Sequence, residues 1–195
     1  MGERLAGGNI AVALLGNTLA TGAALAVLIW VFGPISGAHM NPVVTLALML
    51  RHAIPAPTAA AYVAVQVLAA VVGVMLAHAM FGEPLIQVST KLREGPAQAL
   101  SEAVATFGLL ATIFAVSHFK AESTAIAVGL YITAAYWFTA STSFANPAVV
   151  LARSLSDTFA GIAPHSVPAF IAAEGIGGMA ATVLFAWLLQ EEPHP

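Results

Sequence analysis

The sequence predicts an all-α membrane protein, a bundle of transmembrane helices completed by two half-helices that begin inside the membrane. Three observations predict this fold. Hydrophobic residues make up 59% of the 195 positions and charged residues only 8%, against about 25% charged residues in soluble domains. Apolar runs of about twenty residues recur along the chain. Two shorter apolar stretches each begin with an Asn-Pro pair, at Asn41-Pro42 and at Asn146-Pro147.

Five of the apolar runs are long enough to be full transmembrane helices. A helix rises about 1.5 Å per residue, so about twenty residues cross a hydrocarbon core of about 30 Å. The five predicted spans lie near residues 13–32, 57–81, 98–118, 123–141 and 167–189. The charged segment 82–97 between the second and third spans is predicted to be the longest aqueous loop.

The two Asn-Pro stretches, residues 41–50 and 146–155, are too short to span a membrane. Proline fits the first turn of a helix, and asparagine is a good cap immediately before it. Each stretch follows a polar segment of small residues, so each is predicted to be a half-helix entered by irregular backbone. Such backbone is tolerated at membrane depth only where protein buries it or where it lines a wet cavity.

The two half-helices belong to an internal repeat. Asn41 and Asn146 are 105 positions apart, and the stretches that they open read NPVVTLAL and NPAVVLAR. The following spans also match, and each carries a small-xxx-small pair that favours close helix packing, at 69/73 and 177/181. We therefore predict one channel domain over residues 1–195, with an incomplete first repeat at 1–81, a loop at 82–97 and a second repeat at 98–190. The first repeat lacks a counterpart of the helix that opens the second. Broken helices at matched positions place a binding or conduction site at the repeat interface.

The chemistry of this site follows from the half-helix ends. Each helix N-terminus carries about half a positive charge, and each asparagine adds amide donors. Two such ends meeting inside the membrane favour the oxygen of a neutral solute and repel a cation or a relayed proton. Passive permeation is the function that this arrangement predicts; the alternative is that each asparagine only caps its helix.

Other functional classes lack support in the sequence. The net charge of −3 includes no basic stripe, so a nucleic-acid partner is not expected. The chain has no cysteine, and its six histidines lack the spacing of metal ligands. Nucleotide loops, zinc helices and arranged catalytic triads are absent. We expect neither an enzyme nor a cofactor.

The stretch Ser36-Gly37-Ala38-His39-Met40-Asn41-Pro42-Val43-Val44-Thr45 closely resembles the first signature of the major intrinsic protein family, the aquaporins and glycerol facilitators, and Asn146-Pro147-Ala148 resembles the second. The resemblance implies an aquaporin-like bundle with six spans, of which the first is missing here. It also implies a homotetramer with one pore per subunit in the cell membrane, the inner membrane if the source is bacterial. Its solutes would be small and neutral, such as water or glycerol. The pore centre would be formed by Asn41, Pro42, Val43, Asn146, Pro147 and Ala148.

Two departures from the family pattern bear on selectivity. Val43 stands where the family usually has alanine, and Val149 stands where it usually has the arginine of the narrowest constriction. Counting from the asparagines, the four filter positions are Thr21, Ala134, Ser143 and Val149. None of them is aromatic or charged. This composition predicts a widened filter that admits polyols or neutral metalloid hydroxides such as arsenite.

Four further residues are candidates for supporting roles. Arg153, one helical turn beyond Val149, either supplies a displaced cation at the outer mouth or lies at the membrane interface, paired with Asp157. His39, Glu102 and Glu174 are expected to support the re-entrant loops, since carboxylates inside membrane spans are costly and usually paired. Glu174 leaves a second function open, that of a proton-coupled secondary transporter. A third alternative is a truncated family member that does not conduct.

Overall fold

The computed structural model describes residues 1–190, and every regular element in that range is helical. The last five residues of the predicted domain lie outside the described part. The α-helices, in chain order, are α1 (Gly2–Leu5), α2 (Ile10–Ser36), α3 (Pro42–Leu50), α4 (Ala56–Phe81), α5 (Pro96–Phe119), α6 (Thr124–Phe138), α7 (Pro147–Arg153) and α8 (Val167–Leu188). Single 3₁₀ turns, Ala121–Ser123 and Pro164–Ser166, precede α6 and α8. The chain is therefore an all-helical membrane protein.

Among the described helices, α2, α4, α5 and α8 are long and apolar enough to cross a membrane. The fourth predicted span, 123–141, is shorter than expected, because α6 contains only 15 residues. Fifteen residues extend about 22 Å, less than a hydrocarbon core of about 30 Å. The helix ends because Thr139 has extended backbone and begins the loop that enters α7. Residues 139–141 therefore belong to this loop and not to the span.

Helices α2 and α6 cross at two facing glycines. A Cβ atom on Gly129 would lie 2.6 Å from the Gly22 carbonyl oxygen, and one on Gly22 would lie 2.8 Å from the Gly129 carbonyl oxygen. Only glycine at both positions permits backbones to approach this closely. The crossing brings Gly22 and Ala26 of α2 against α6, and the neighbouring α2 residues Thr21, Leu25 and Ile29 line a cavity at the half-helices.

The small-residue pairs of the repeat have different surroundings. Gly177 and Ala181 are buried, and a Cβ on Gly177 would meet the Ala103 carbonyl oxygen of α5 at 2.1 Å. Close packing is thus confirmed for the pair at 177/181. At Gly73, the counterpart position in α4, no atom lies within 4 Å of a built Cβ. Of the most apolar 18 residues of α4 only 6% are buried, whereas 39% of those of α8 are buried. The described residues include no helix that covers α4 as α5 covers α8.

The two half-helices form where the Asn-Pro motifs predict them, with Pro42 and Pro147 as their first residues. Buried contacts hold α3 in the bundle, where Val43 and Val44 share an apolar cluster with Leu110 and Ala181 of α5 and α8. On the other side, Val150 of α7 joins a separate buried cluster. Each half-helix is therefore fixed by its own apolar side chains, while the asparagine that precedes it faces the other half-helix.

A candidate pore between the two half-helices

The first turns of α3 and α7 are joined by a reciprocal pair of hydrogen bonds. Asn41 Nδ2 donates to the Ala145 carbonyl oxygen at 2.7 Å, and Asn146 Nδ2 donates to the Met40 carbonyl oxygen at 2.8 Å. Each asparagine also caps its own helix: Asn41 Oδ1 accepts from the Val43 amide, and Asn146 Oδ1 accepts from the Ala148 amide. A primary amide has two N–H groups. One N–H of each asparagine therefore holds the two halves together, and no acceptor for the second is found among the described residues.

The loop that enters α7 is held by two buried carboxylates. Glu102 accepts hydrogen bonds from the backbone amides of Phe144 and Ala145, at 2.9 and 2.7 Å, and Glu174 accepts from that of Asn146 at 2.8 Å. Both glutamates are completely buried. They provide acceptors for three consecutive N–H groups that the irregular backbone leaves without helical partners. These are the contacts expected of loop-supporting residues.

The loop that enters α3 has a different support. Gly37 ends α2 with a φ of 75°, and a Cβ there would lie 2.5 Å from His39 Nε2. The His39 ring also packs against Tyr62 of α4, with centroids 5.3 Å apart. Gln66, the counterpart of Glu174, donates to Thr45 Oγ1 at 2.8 Å. His39 thus contacts the glycine that begins its loop and Tyr62 of α4, while Gln66 binds the half-helix and not the backbone before it.

A cavity of about 310 Å³ lies against these first turns. This volume is enough to hold several water molecules. Both asparagines line it, together with backbone and side chains of the two entering loops. Its other wall is largely apolar and comes from α2, α3, α5 and α6, through Leu25, Ile29, Val44, Leu48, Leu109, Ile113, Val128 and Ile132.

Of the six residues assigned to the pore centre, only the two asparagines line this cavity. Pro42, Val43 and Ala148 are buried behind them, and Pro147 occupies the first helical position of α7. Val43 instead packs on α8, where a Cβ on Gly178 would lie 2.2 Å from Val43 Cγ1. The glycine therefore provides the space that valine, larger than the usual alanine, requires.

The cavity wall corrects one of the four predicted filter residues. Thr21, Ser143 and Val149 line the cavity, but Ala134 is exposed on the outside of α6. Tyr136, two residues further, is buried and lines the cavity instead. Two residues along a helix correspond to a rotation of about 200°. A counting error of two therefore moves the assignment to the opposite face, and the expectation that no aromatic residue borders the filter is wrong.

Arg153 also lines the cavity, at the end that the sequence predicts to be the outer mouth. Its Nη2 donates to the Tyr136 hydroxyl oxygen at 3.0 Å, and its guanidinium lies 4.5 Å from the centre of the Phe144 ring. Arg153 Nη1 is buried without a hydrogen-bond partner. The expected alternative partner, Asp157, accepts from the backbone amide and hydroxyl of Thr90 instead. Arg153 thus provides a cation at this end of the cavity, one turn beyond Val149.

A second cavity of about 580 Å³ lies behind α7, between it and α4. Asn146 and Val149 border both this cavity and the first one. Gln66 and Ala69 border it from α4. At α7 the wall of the first cavity is therefore only one helix thick. This is the side on which no described helix covers α4.

Comparison with known proteins agrees with this geometry. The sequence model described as "Major intrinsic protein" matches residues 3–123. The chain is 56% identical to Aquaglyceroporin AqpS of Rhizobium meliloti over 180 residues. This alignment covers 92% of the present chain and 77% of the relative. It is 30% identical over 205 residues to Probable aquaporin AqpM of Archaeoglobus fulgidus, covering 94% and 82%. It is 32% identical over 129 residues to the Glycerol uptake facilitator protein of Streptococcus pneumoniae, covering 59% and 55%. The chain, with its paired Asn-Pro half-helices and their shared cavity, belongs to the major intrinsic protein family.

Proposed function

We propose that the protein is a passive channel for small uncharged solutes, water and glycerol-like polyols among them. The observation that carries this proposal is the shared cavity at the first turns of α3 and α7. There Asn41 and Asn146 face one space, each with an amide N–H not used in joining the halves. Hydroxyl oxygens are acceptors for these donors. The relatives named as an aquaglyceroporin and a glycerol uptake facilitator support the same solute class.

The residues of the outer mouth favour a pore wider than a strict water filter. Thr21, Ser143 and Val149 have small side chains at the filter positions. Arg153 lies four residues beyond Val149, about 6 Å further along the helix axis. Its guanidinium is also bound to Tyr136 and Phe144. The cation therefore adds a donor at the outer mouth, one turn away from the small side chain of Val149. We extend the proposal to four-carbon polyols and to neutral metalloid hydroxides such as arsenite.

The proton-coupled alternative is less well supported by the surroundings of Glu174. Its side chain is completely buried and accepts a hydrogen bond from the Asn146 backbone amide. It does not border the cavity between the half-helices. A coupling carboxylate needs access to the solute path, whereas a carboxylate that satisfies a buried amide needs none. We assign Glu174 to support of the loop.

The proposal includes the setting of the channel. The four apolar helices long enough to span a membrane make the protein a multi-pass membrane protein. We place it in the cell membrane, the inner membrane in a bacterium, as a homotetramer with a pore in each subunit. Cross-linking of the purified protein in detergent tests the tetramer. We expect a series of cross-linked species that ends at four subunits.

Blocking the cavity tests the function directly. Thr21→Trp should fill the cavity at the outer mouth, whereas Leu19→Trp places the same side chain on the exposed face of the same helix. Stopped-flow light scattering on proteoliposomes with equal protein content measures glycerol permeation. We expect wild type and Leu19→Trp to conduct and Thr21→Trp to fall to the rate of empty liposomes. Equal rates for all three proteins would show that the solute does not pass through this cavity.

A further inference from the structure

Arg93 is a buried cation outside the proposed pore. It lies in the loop between α4 and α5, is only 6% exposed and does not border the cavity. A charged side chain is costly to bury unless its donors are satisfied. Arg93 Nε donates to the Gly161 carbonyl oxygen and Nη1 to the Ser141 carbonyl oxygen, both at 2.8 Å, and Nη2 reaches the Phe159 carbonyl oxygen at 3.4 Å.

These carbonyl groups come from both sides of α7. Ser141 belongs to the loop that enters the half-helix, two residues before the cavity-lining Ser143, and Phe159 and Gly161 belong to the segment that follows it. The planar guanidinium group holds its donors in a fixed geometry. Arg93 therefore fixes the position of the entering loop relative to the segment beyond the outer mouth.

A second contact connects Arg93 to the pore wall. Its guanidinium lies 4.7 Å from the centre of the Phe144 ring, and the guanidinium of Arg153 lies 4.5 Å from the same centre. Phe144 borders the cavity and packs edge-on against Phe170. Burial, followed by the nearby charge of Arg153, lowers the pKa of Arg93 to about 10. Arg93 therefore stays cationic at neutral pH, and the two guanidinium groups repel each other across a ring that attracts both.

We propose that Arg93 is a positioning residue for the outer mouth, which sets the placement of Arg153 and Ser143 through Phe144 and the entering loop. The proposal rests on the proposed channel function insofar as it concerns selectivity. Removing the Arg93 side chain removes two things at once: its repulsion of the Arg153 guanidinium and its hydrogen bond to the Ser141 carbonyl oxygen. The solute selectivity of the pore then changes, although no group in the pore has been substituted.

Lys91 offers a matched control in the same loop. Its Nζ donates to the Phe159 carbonyl oxygen at 2.7 Å and lies over the Phe159 ring, so it shares one partner with Arg93. It has no contact with Phe144 or Ser141 among those found in the described residues. Lys91→Met therefore loosens the same loop without disturbing the ring between Arg93 and Arg153.

The first test does not require conduction. The chain has four arginines, Arg4, Arg51, Arg93 and Arg153, so Nε–Hε signals of ¹⁵N-arginine-labelled protein in detergent can be assigned by substitution. We expect Arg93→Met to shift the Arg153 signal and Lys91→Met to leave it in place. Phe144→Leu should shift the signals of both Arg93 and Arg153. If the chemical shift of the Arg153 signal is the same in Arg93→Met as in wild type, the positioning role is overturned, whether or not the protein conducts.

The second test measures selectivity as the ratio of erythritol to glycerol permeability in proteoliposomes. We expect Arg93→Met to change this ratio by at least about threefold, and Lys91→Met to leave it unchanged. Equal changes in the two variants, or an unchanged ratio in Arg93→Met, would overturn the inference. Should Arg93→Met fail to fold, Arg93→Lys, which keeps the charge but not the planar fork, is expected to change the ratio in the same direction; no change would overturn it. Absence of flux in the wild type counts against the channel function alone, because the arginine signals decide the positioning role separately.

Discussion

Asn41 and Asn146 each donate an amide hydrogen to the carbonyl oxygen of the residue that precedes the other, at 2.7 and 2.8 Å. The exchange joins two half-helices that are 105 positions apart in the chain. Each asparagine therefore has two structural tasks, capping its own helix and joining the halves, in addition to the proposed contact with solute. This double role leads to the first prediction.

Asn41→Ala and Asn146→Ala should each destabilise the protein more than the loss of an ordinary cap. A cap is worth about 1 kcal/mol and a further hydrogen bond about 1 kcal/mol, so we expect a loss of about 2 kcal/mol in the free energy of unfolding in detergent. Asn9→Ala is the matched control, because Asn9 Oδ1 caps α2 through two amides but joins nothing else. Equal losses for Asn9→Ala and the two pore variants would refute the joining role.

The two buried glutamates should respond differently to substitution. Glu102→Ala leaves the amides of Phe144 and Ala145 without acceptors, at a cost of roughly 1–3 kcal/mol each, so we expect little folded protein by size-exclusion chromatography. Glu174→Gln keeps an oxygen acceptor for the Asn146 amide and should fold and conduct like wild type. Uphill solute uptake driven by a pH gradient and lost in Glu174→Gln would instead favour the proton-coupled transporter.

Arg153→Ala removes the cation from the outer mouth. We expect the erythritol to glycerol permeability ratio to rise and proton leak, read with a pH-sensitive dye inside proteoliposomes, to increase, because a positive charge opposes proton passage. Arg51→Ala is the control. Arg51 ends the other half-helix and lies 4.5 Å from the Phe114 ring, but it does not border the cavity. If both properties of Arg153→Ala matched those of wild type, Arg153 would have no part in selectivity.

The crossing of α2 and α6 should tolerate no side chain at its glycines. Gly129→Ala brings a methyl group to 2.6 Å from the Gly22 carbonyl oxygen, so the helices must separate, and overpacking of this kind costs about 1–3 kcal/mol. At Gly175 of α8, a built Cβ meets no atom within 4 Å, so Gly175→Ala should be neutral or stabilising by up to about 1 kcal/mol. Thermal unfolding in detergent compares the two, and an unchanged midpoint for Gly129→Ala would contradict the close crossing.

The sequence predicted those parts of the site that depend on local chemistry. Asparagine before proline is a strong helix start, and the structure has α3 and α7 with these caps; Glu102 accepts hydrogen bonds from the loop that enters α7. Apolar length predicted α2, α4, α5 and α8 within a few residues. The span predicted at 123–141 was too long because periodicity does not show where the backbone turns extended at Thr139.

The parts that the sequence did not predict depend on tertiary contacts. The filter position assigned to Ala134 required counting backwards across an irregular loop, and an error of two residues exchanged an exposed side chain for the cavity-lining Tyr136. Arg93 contacts Phe144 across 51 positions of sequence, and the only signal at its position was a charge in a loop. The contact of Val43 with Gly178 could not be predicted from the sequence either, because neither residue is unusual in its own helix.

The most direct test of the channel is stopped-flow light scattering on proteoliposomes that contain the purified 195-residue chain, with water and glycerol compared against empty liposomes. The account predicts that both fluxes rise with protein content and that glycerol equilibrates without accumulating, even when a pH gradient is imposed. Fluxes equal to those of empty liposomes, or glycerol accumulation that follows the pH gradient, would contradict it.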